Sequence, residues 1–183
     1  MPAFSMAEAS RRLGVAVAAP YRHFVDREAL LAAVAGRAAE LLVERLDRDV
    51  TSGSPAQRLA AATRGYVRFA ADHHALFQTL VASGLNKTRH LELHRAGQQI
   101  GAVFLSPAFE LLGGDHTAAA QLTAAIVASA HGHAVLLLDD CPGPDQQSVE
   151  AAAQHAAQAT TALILGREAL LGPTPKAMTA SNP

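Results

Sequence analysis

The chain has 183 residues, half of them apolar, a formal net charge of −1 and no tryptophan. That length suits one well-buried domain plus a small module and excludes two large domains. The near-neutral balance excludes a general electrostatic attraction to nucleic acid, and the single cysteine, Cys141, excludes an internal disulfide and points to a reducing cytoplasm. The N-terminus lacks the charged region and apolar run of a signal peptide, and no apolar stretch approaches the roughly 20 residues needed to cross a bilayer. The expected setting is therefore cytoplasmic, with no membrane partner. By segment, five arginines against three acids make Met1 to Arg37 +2 and leave the remainder at −3. A weakly basic head on an acidic body has the right sign for DNA binding, though the magnitude is small.

Ser5 and Glu8 have capping-box spacing and predict a first helix to about Leu13, with Met6, Ala9 and Leu13 facing inward. Gly14 supplies the left-handed residue that stops it. A second helix is predicted over about Val17 to Phe24, with Pro20 in its first turn, where a missing N–H costs little. Asp26 then caps a long helix to about Asp49, with Leu30, Leu31, Val34, Ala38, Leu41, Leu42 and Leu46 on one stripe. A helix, a tight turn and a second helix make a helix-turn-helix layout, whose second helix can enter the DNA major groove.

Residues Thr51 to Ser54 read as a linker, after which Ser54 and Pro55 restart a helix as cap and first residue, running to about Asp72 with Leu59, Ala62, Tyr66 and Phe69 spaced for burial. A short helix is predicted over about Ala75 to Ser83, and another from about Arg89 to Leu112 that Pro107 should kink or split. Two long, Ala-rich helices follow, Asp115 to Leu138 and Gln146 to about Leu171, joined by a turn over Asp139 to Pro144. The tail from Pro173 is rich in Pro, Ser and Thr and is expected to be disordered. With no period-two pattern anywhere, the expected class is all-α.

Gly14-Val15, Tyr21-Arg22-His23-Phe24 and Asp26-Arg27-Glu28-Ala29-Leu30-Leu31 carry a more specific signal. Their order resembles the DNA-binding segment of tetracycline-repressor-type (TetR) regulators, in which a G-V turn precedes a recognition helix ending in Y-x-H-F and a D/S-K/R-E-x-L-L helix start. The resemblance implies phosphate contacts at Tyr21 and Arg27, with Arg22 beside them, and places Val17, Ala18 and Ala19 in the base-facing first turn. Those three offer methyl contacts to thymine but no hydrogen bonds, which leaves polar contacts to Arg11, Arg12 or Arg22. The family has Ser or Thr where Ala16 stands. It also has a further helix ahead of Ser5, and that first helix is missing here because only Met1, Pro2, Ala3 and Phe4 precede the capping box. A start of translation placed too far downstream is the expected reason.

The likeness extends into the body. Tyr66 to Ala70 followed by His74 to Phe77 is similar to the Y-x-x-F-A … P-A-L-F run of a TetR subfamily with a Trp-His-Gly motif, which Ala130-His131-Gly132 matches at two of three positions. It implies a helical bundle that binds a small molecule and pairs with a second copy through its last two long helices. Phe69, Phe77, Phe104, Phe109 and Leu136 are the candidate walls of an apolar effector pocket, and His131 is its polar handle. The stretch Thr117 to Leu138 is apolar nearly all round, so it needs cover on two sides. Ala124, Ala128 and Gly132 permit close approach of a partner, and Ala152, Ala156, Ala159, Ala162, Leu163 and Leu170 supply the facing surface.

The expected organisation is a helix-turn-helix head with its connecting helix over residues 1–48, a ligand-binding and dimerisation body over 54–171 and a disordered tail over 172–183. The expected function is a ligand-responsive repressor acting on a double-stranded DNA operator. The alternative is a helical dimer that binds an apolar small molecule and carries a truncated, non-reading head. No cofactor or metal is expected. His90 and His94 are four apart, but the H-E-x-x-H pattern and a third ligand are lacking, and Glu92 between them marks a solvated face. No strand precedes a Gly-rich loop, so no enzyme is expected.

Overall fold

The computed structural model describes residues 5–50, 52–82, 90–140 and 143–172. The expected tail from Pro173 and the Cys141-Pro142 part of the last turn lie outside the described residues. Eight α-helices, with no strand, make up those that are described: α1 (Met6–Arg12), α2 (Arg27–Asp49), α3 (Pro55–Asp72), α4 (His74–Ala82), α5 (Leu91–Leu111), α6 (His116–Asp140), α7 (Gln146–Leu165) and α8 (Arg167–Leu171). The class is all-α, as the sequence predicts.

The helix starts follow side-chain chemistry. Ser5 Oγ accepts from Glu8 N–H, Asp26 Oδ1 from Ala29 N–H at 2.8 Å, and Asp145 Oδ1 from Ser148 N–H at 2.7 Å. Ser54 and Gln57 form a complete capping box ahead of Pro55. Each such cap satisfies first-turn N–H groups that have no partner within the helix and is worth about 1 kcal/mol.

Helix α3 is the hub, packed against α2, α4, α5, α6 and α7. One continuous core runs from Ala35, Ala38, Leu42 and Leu46 on α2, through Leu59, Val67 and Phe69 on α3, to Phe104, Leu122, Ile126 and Ile164. Gly65 lets α2 and α3 close together, since a Cβ there would sit 2.9 Å from Asp49 Oδ2 and 3.2 Å from Leu46 Cδ2. Across the core, Thr63 Oγ1 bonds both Leu59 C=O and Thr160 Oγ1, at 3.0 and 2.9 Å, which ties α3 to α7 through a buried, satisfied hydroxyl pair. Arg68 and Glu150 join the same two helices at the rim, and Arg58 bridges α3 to Glu110 of α5. Being half in water, such rim pairs contribute about 1 kcal/mol at most.

Four expectations are corrected. Helix α5 is not split at Pro107, one of the two outcomes expected there, and Phe104 and Ala108 on either side of the proline are fully buried and hold both turns in place. The predicted last helix divides at Gly166 into α7 and α8. Leu13, expected inside, is 76% exposed. And α6 from His116 to Asp139 is long and apolar enough, by length and composition, to cross a membrane. In this fold it is a bundle helix, with Leu122, Ile126, Ala130 and Ala134 fully buried against its neighbours.

Candidate nucleic-acid interface and effector cavities

The head begins with α1, which Gly14 terminates at φ +67°, a left-handed conformation that only glycine adopts cheaply. Beyond it the expected helix over Val17 to Phe24 does not form. The segment is a series of turns with a single 3-10 turn, Pro20–Arg22. Two features of the sequence account for this. Ala16 offers no side-chain cap, and Pro20 has no N–H to give to the Ala16 carbonyl, which accepts from Ala19 at 2.8 Å instead. The tighter i+3 pattern continues as Arg22 donates to Ala19 and His23 to Pro20.

Of the predicted DNA-contacting residues, Val17, Ala18, Tyr21, Arg22 and Arg27 are exposed and Ala19 is half-buried. Tyr21 is 54% exposed, so its ring does not serve as core. Arg27 is the first residue of α2, directly after the Asp26 cap. Arg11 and Arg12 both pair with Glu8, at 2.8 and 3.2 Å, which fits the solvated helix face better than a free base-reading group. Around these polar groups the surface is apolar, with Val15 and Val17 each 45% and Val25 85% exposed. A shallow cavity of about 310 Å³ beside them is lined by Met6, Leu13, Val15, Phe24 and Leu30, among others.

The residues expected to line one effector pocket separate into groups. Phe77 and His131 do meet, with ring centroids 5.7 Å apart, and Tyr66 completes the cluster edge-on to both. Tyr66 Oη lies 3.2 Å from His131 Nδ1, so the histidine is satisfied by a phenol. Phe69 is buried and lies at a tilt against His73, with ring centroids 5.0 Å apart. Phe104 is fully buried, while Phe109 lies against His116 at 4.3 Å. Among the described residues no ring contact joins Phe104 or Phe109 to His131. Leu136 is 63% exposed and walls no interior space in the single chain.

Burial pushes the Tyr66 phenol up to about 12, from an ordinary value of 10.0. The neutral form is therefore favoured by folding. Its contribution is complete below pH 10 and is lost as pH rises from there towards about 12. Alkaline unfolding followed by circular dichroism is expected to show this loss, and Tyr66→Phe to flatten the curve in that window. A curve unchanged by the substitution would mean that Tyr66 is not the titrating group.

The larger cavity lies elsewhere. A groove of about 720 Å³ runs between α2 and α5, floored by Ala29, Ala32, Ala33, Gly36, Leu93 and Ala96. Arg37, Glu40, His90, Arg95 and Gln99 stand around it. At one end His90 Nε2 is 3.1 Å from Glu28 Oε1, which ties the start of α5 to the start of α2. His94, its expected partner on a solvated face, is exposed. Sequence reasoning passes over this groove, although small residues spaced three and four apart on α2 (Ala29, Ala32, Ala33, Gly36) are its signature. Among the described residues no group of three His, Cys, Asp or Glu is placed to hold a metal ion.

No protein-family model and no curated protein sequence matches the chain. Among solved structures, the chain is similar to the TetR family transcriptional regulator PfmR from Thermus thermophilus, at 18% identity and a TM-score of 0.68, over 89% of this chain and 88% of that one. This chain has the TetR fold. A protein of unknown function from Rhodococcus sp. RHA1 is similar at 27% identity and a TM-score of 0.62, over 85% and 84% of the two chains. Helices α3 to α7 pack together as a bundle. His131 of the Ala130-His131-Gly132 motif lies on α6, bonded to Tyr66 of α3.

Proposed function

We propose that the chain is a DNA-binding transcriptional regulator, working as a two-fold dimer and responding to a small apolar molecule as a repressor. The observation that carries this is the exposure of Tyr21, Arg22 and Arg27 around the Asp26-capped start of α2, on a head that precedes a TetR-type bundle. A helix N-terminus and a guanidinium favour a phosphate together. Residues 1–48 would then be the reading head with its connecting helix, and 54–171 the ligand and dimer body. The setting is the cytoplasm, and no catalytic role is assigned.

Dimerisation through α6 and α7 is supported by what those helices leave uncovered. Ala120, Ala124, Ala128 and Leu136 are exposed along one ridge of α6, and Ala162 and Leu165 along α7. Ala156, expected at this face, is instead fully buried in the chain's own core, because the inward stripe of α7 is Val149, Ala153, Ala156, Thr160 and Ile164. A two-fold pair would present two heads to two half-sites of an operator.

The test is a gel shift of the chain with DNA from upstream of its own gene. Binding is expected to weaken steeply with salt, through counterion release. Arg27→Ala is expected to weaken it by about tenfold on every sequence alike, the loss of one phosphate contact. One specific observation favours the second reading, a helical dimer that does not read DNA: the segment over Val17 to Phe24 is not a regular helix, and its surface is apolar. That reading predicts no shift even at low salt.

A further inference from the structure

We propose that the groove between α2 and α5 binds an elongated apolar monoanion, a carboxylate on a flexible or flat hydrocarbon body, with its acidic group on Arg95. The groove's 720 Å³ lies in the size range of small-molecule sites. Its α2 wall runs from Ala29 to Glu40, about 16 Å at 1.5 Å per residue, so an extended ligand fits it better than a compact one. The floor is made of methyl groups and one bare backbone. A Cβ added at Gly36 would meet nothing within 4 Å, so the void there comes from small side chains.

The charge around that floor selects the head group. Arg37 is taken up by Glu40 at 3.0 Å and Glu44 at 3.6 Å. His90 is held by Glu28. Arg95 lines the same groove and, among the described residues, makes no ion pair, so its guanidinium is open to an added anion beside the apolar trough. A neutral ligand would leave that charge unused, and a cation would be repelled by it. A carboxylate satisfies it with a charge-assisted hydrogen bond while its hydrocarbon body covers the alanines. The ligand would also border the head directly, since His90 reaches Glu28, the residue after Arg27. Any effect on DNA rests on the regulator reading above, whereas the binding itself does not.

The experiment is isothermal titration of the full chain, without DNA, against decanoate, decanol and decyltrimethylammonium below their micellar range. Decanoate is expected to bind with saturation, about fivefold tighter than decanol, and the cation more weakly than either, as one exposed ion pair of about 1 kcal/mol implies. Arg95→Gln is expected to erase the preference for decanoate over decanol. Gly36→Leu, which fills the trough and replaces a helical glycine, is expected to abolish both while keeping the helical spectrum. Ala33→Leu is a second filling variant should the first misfold. Decanoate retained at wild-type affinity by Arg95→Gln or by a folded filling variant overturns the proposal. So does a preference for the cation, or no saturable binding of decanoate. Because no DNA is present, failure here leaves the regulator reading intact, and a failed gel shift leaves this site intact.

Discussion

Leu136→Glu is expected to convert a dimer into a monomer and, with it, to abolish operator binding. In the single chain Leu136 is 63% exposed, on a helix whose Leu122 and Ile126 are fully buried. Substitution there should leave the monomer's fold unchanged. In the proposed dimer the same side chain is covered, and two-fold symmetry makes each change count twice. Losing two buried leucines costs about 1.5–3 kcal/mol each, before the penalty for desolvating two carboxylates. The dimer dissociation constant should therefore rise by about a thousandfold, since each 1.4 kcal/mol is a factor of ten. Analytical ultracentrifugation reads this directly. Leu165→Glu, at 76% exposure on α7, is expected to act in the same direction. A protein that remains dimeric with both changes pairs through another surface, or not through this face at all. Operator affinity should fall with the dimer, because a single head holds only one half-site.

The helix plan is legible wherever a polar side chain or a glycine marks a terminus. Asp26, Ser54 with Gln57, and Gly14 act within a few residues of where they stand in the chain, so local chemistry decides the outcome. Sequence and structure part where two local rules compete. Pro20 suits a first helical turn by its φ, yet a helix capped at Ala16 would need the N–H that Pro20 lacks, and Ala16 has no side chain to compensate. At Pro107 the balance goes the other way. Burial of Phe104 and Ala108 offsets the missing bond, and α5 runs on. Gly166 sits in an Ala-rich run whose apolar pattern continues past it, so periodicity hides the break before α8.

The candidate effector site is less legible, for a reason of volume. The chain has six phenylalanines, two tyrosines and no tryptophan. A body this size has to spend most of its rings on filling its own interior, and Phe69, Phe77 and Phe104 are accordingly the largest fully buried side chains. The open groove arises where α2 presents Ala29, Ala32, Ala33 and Gly36, small residues that in sequence read as part of a helix rather than as the space they leave. The His131 environment, by contrast, is foreshadowed by its motif. Its partner Tyr66 reads in sequence as a buried position and as the start of the Y-x-x-F-A run, but not as a partner of His131, because a contact between α3 and α6, 65 residues apart, leaves no local mark.

The division between packing rings and ligand walls can be measured at Phe77. If the ring is core, Phe77→Ala is expected to cost about 3–5 kcal/mol, the usual range for a buried phenylalanine that leaves a void. For a chain of this length that lowers the melting temperature by about 10 °C. The basis is that Phe77 is 1% exposed and meets Tyr66 edge-on at 5.6 Å and His131 at 5.7 Å. Removing it exposes two polar rings to a cavity that only the surrounding helices can collapse. A wall of a ligand site behaves differently. One face of such a ring already borders open volume, so truncation forfeits fewer contacts and costs about 1 kcal/mol or less. Thermal unfolding of Phe77→Ala beside Tyr66→Phe separates the two cases. The phenol deletion should be the milder change, since it removes one hydrogen bond and leaves the ring, although His131 Nδ1 then loses its partner. A small loss for Phe77→Ala would return the aromatic cluster to the list of effector sites, and decanoate binding that falls with it would place the ligand between α3 and α6 instead of against α2.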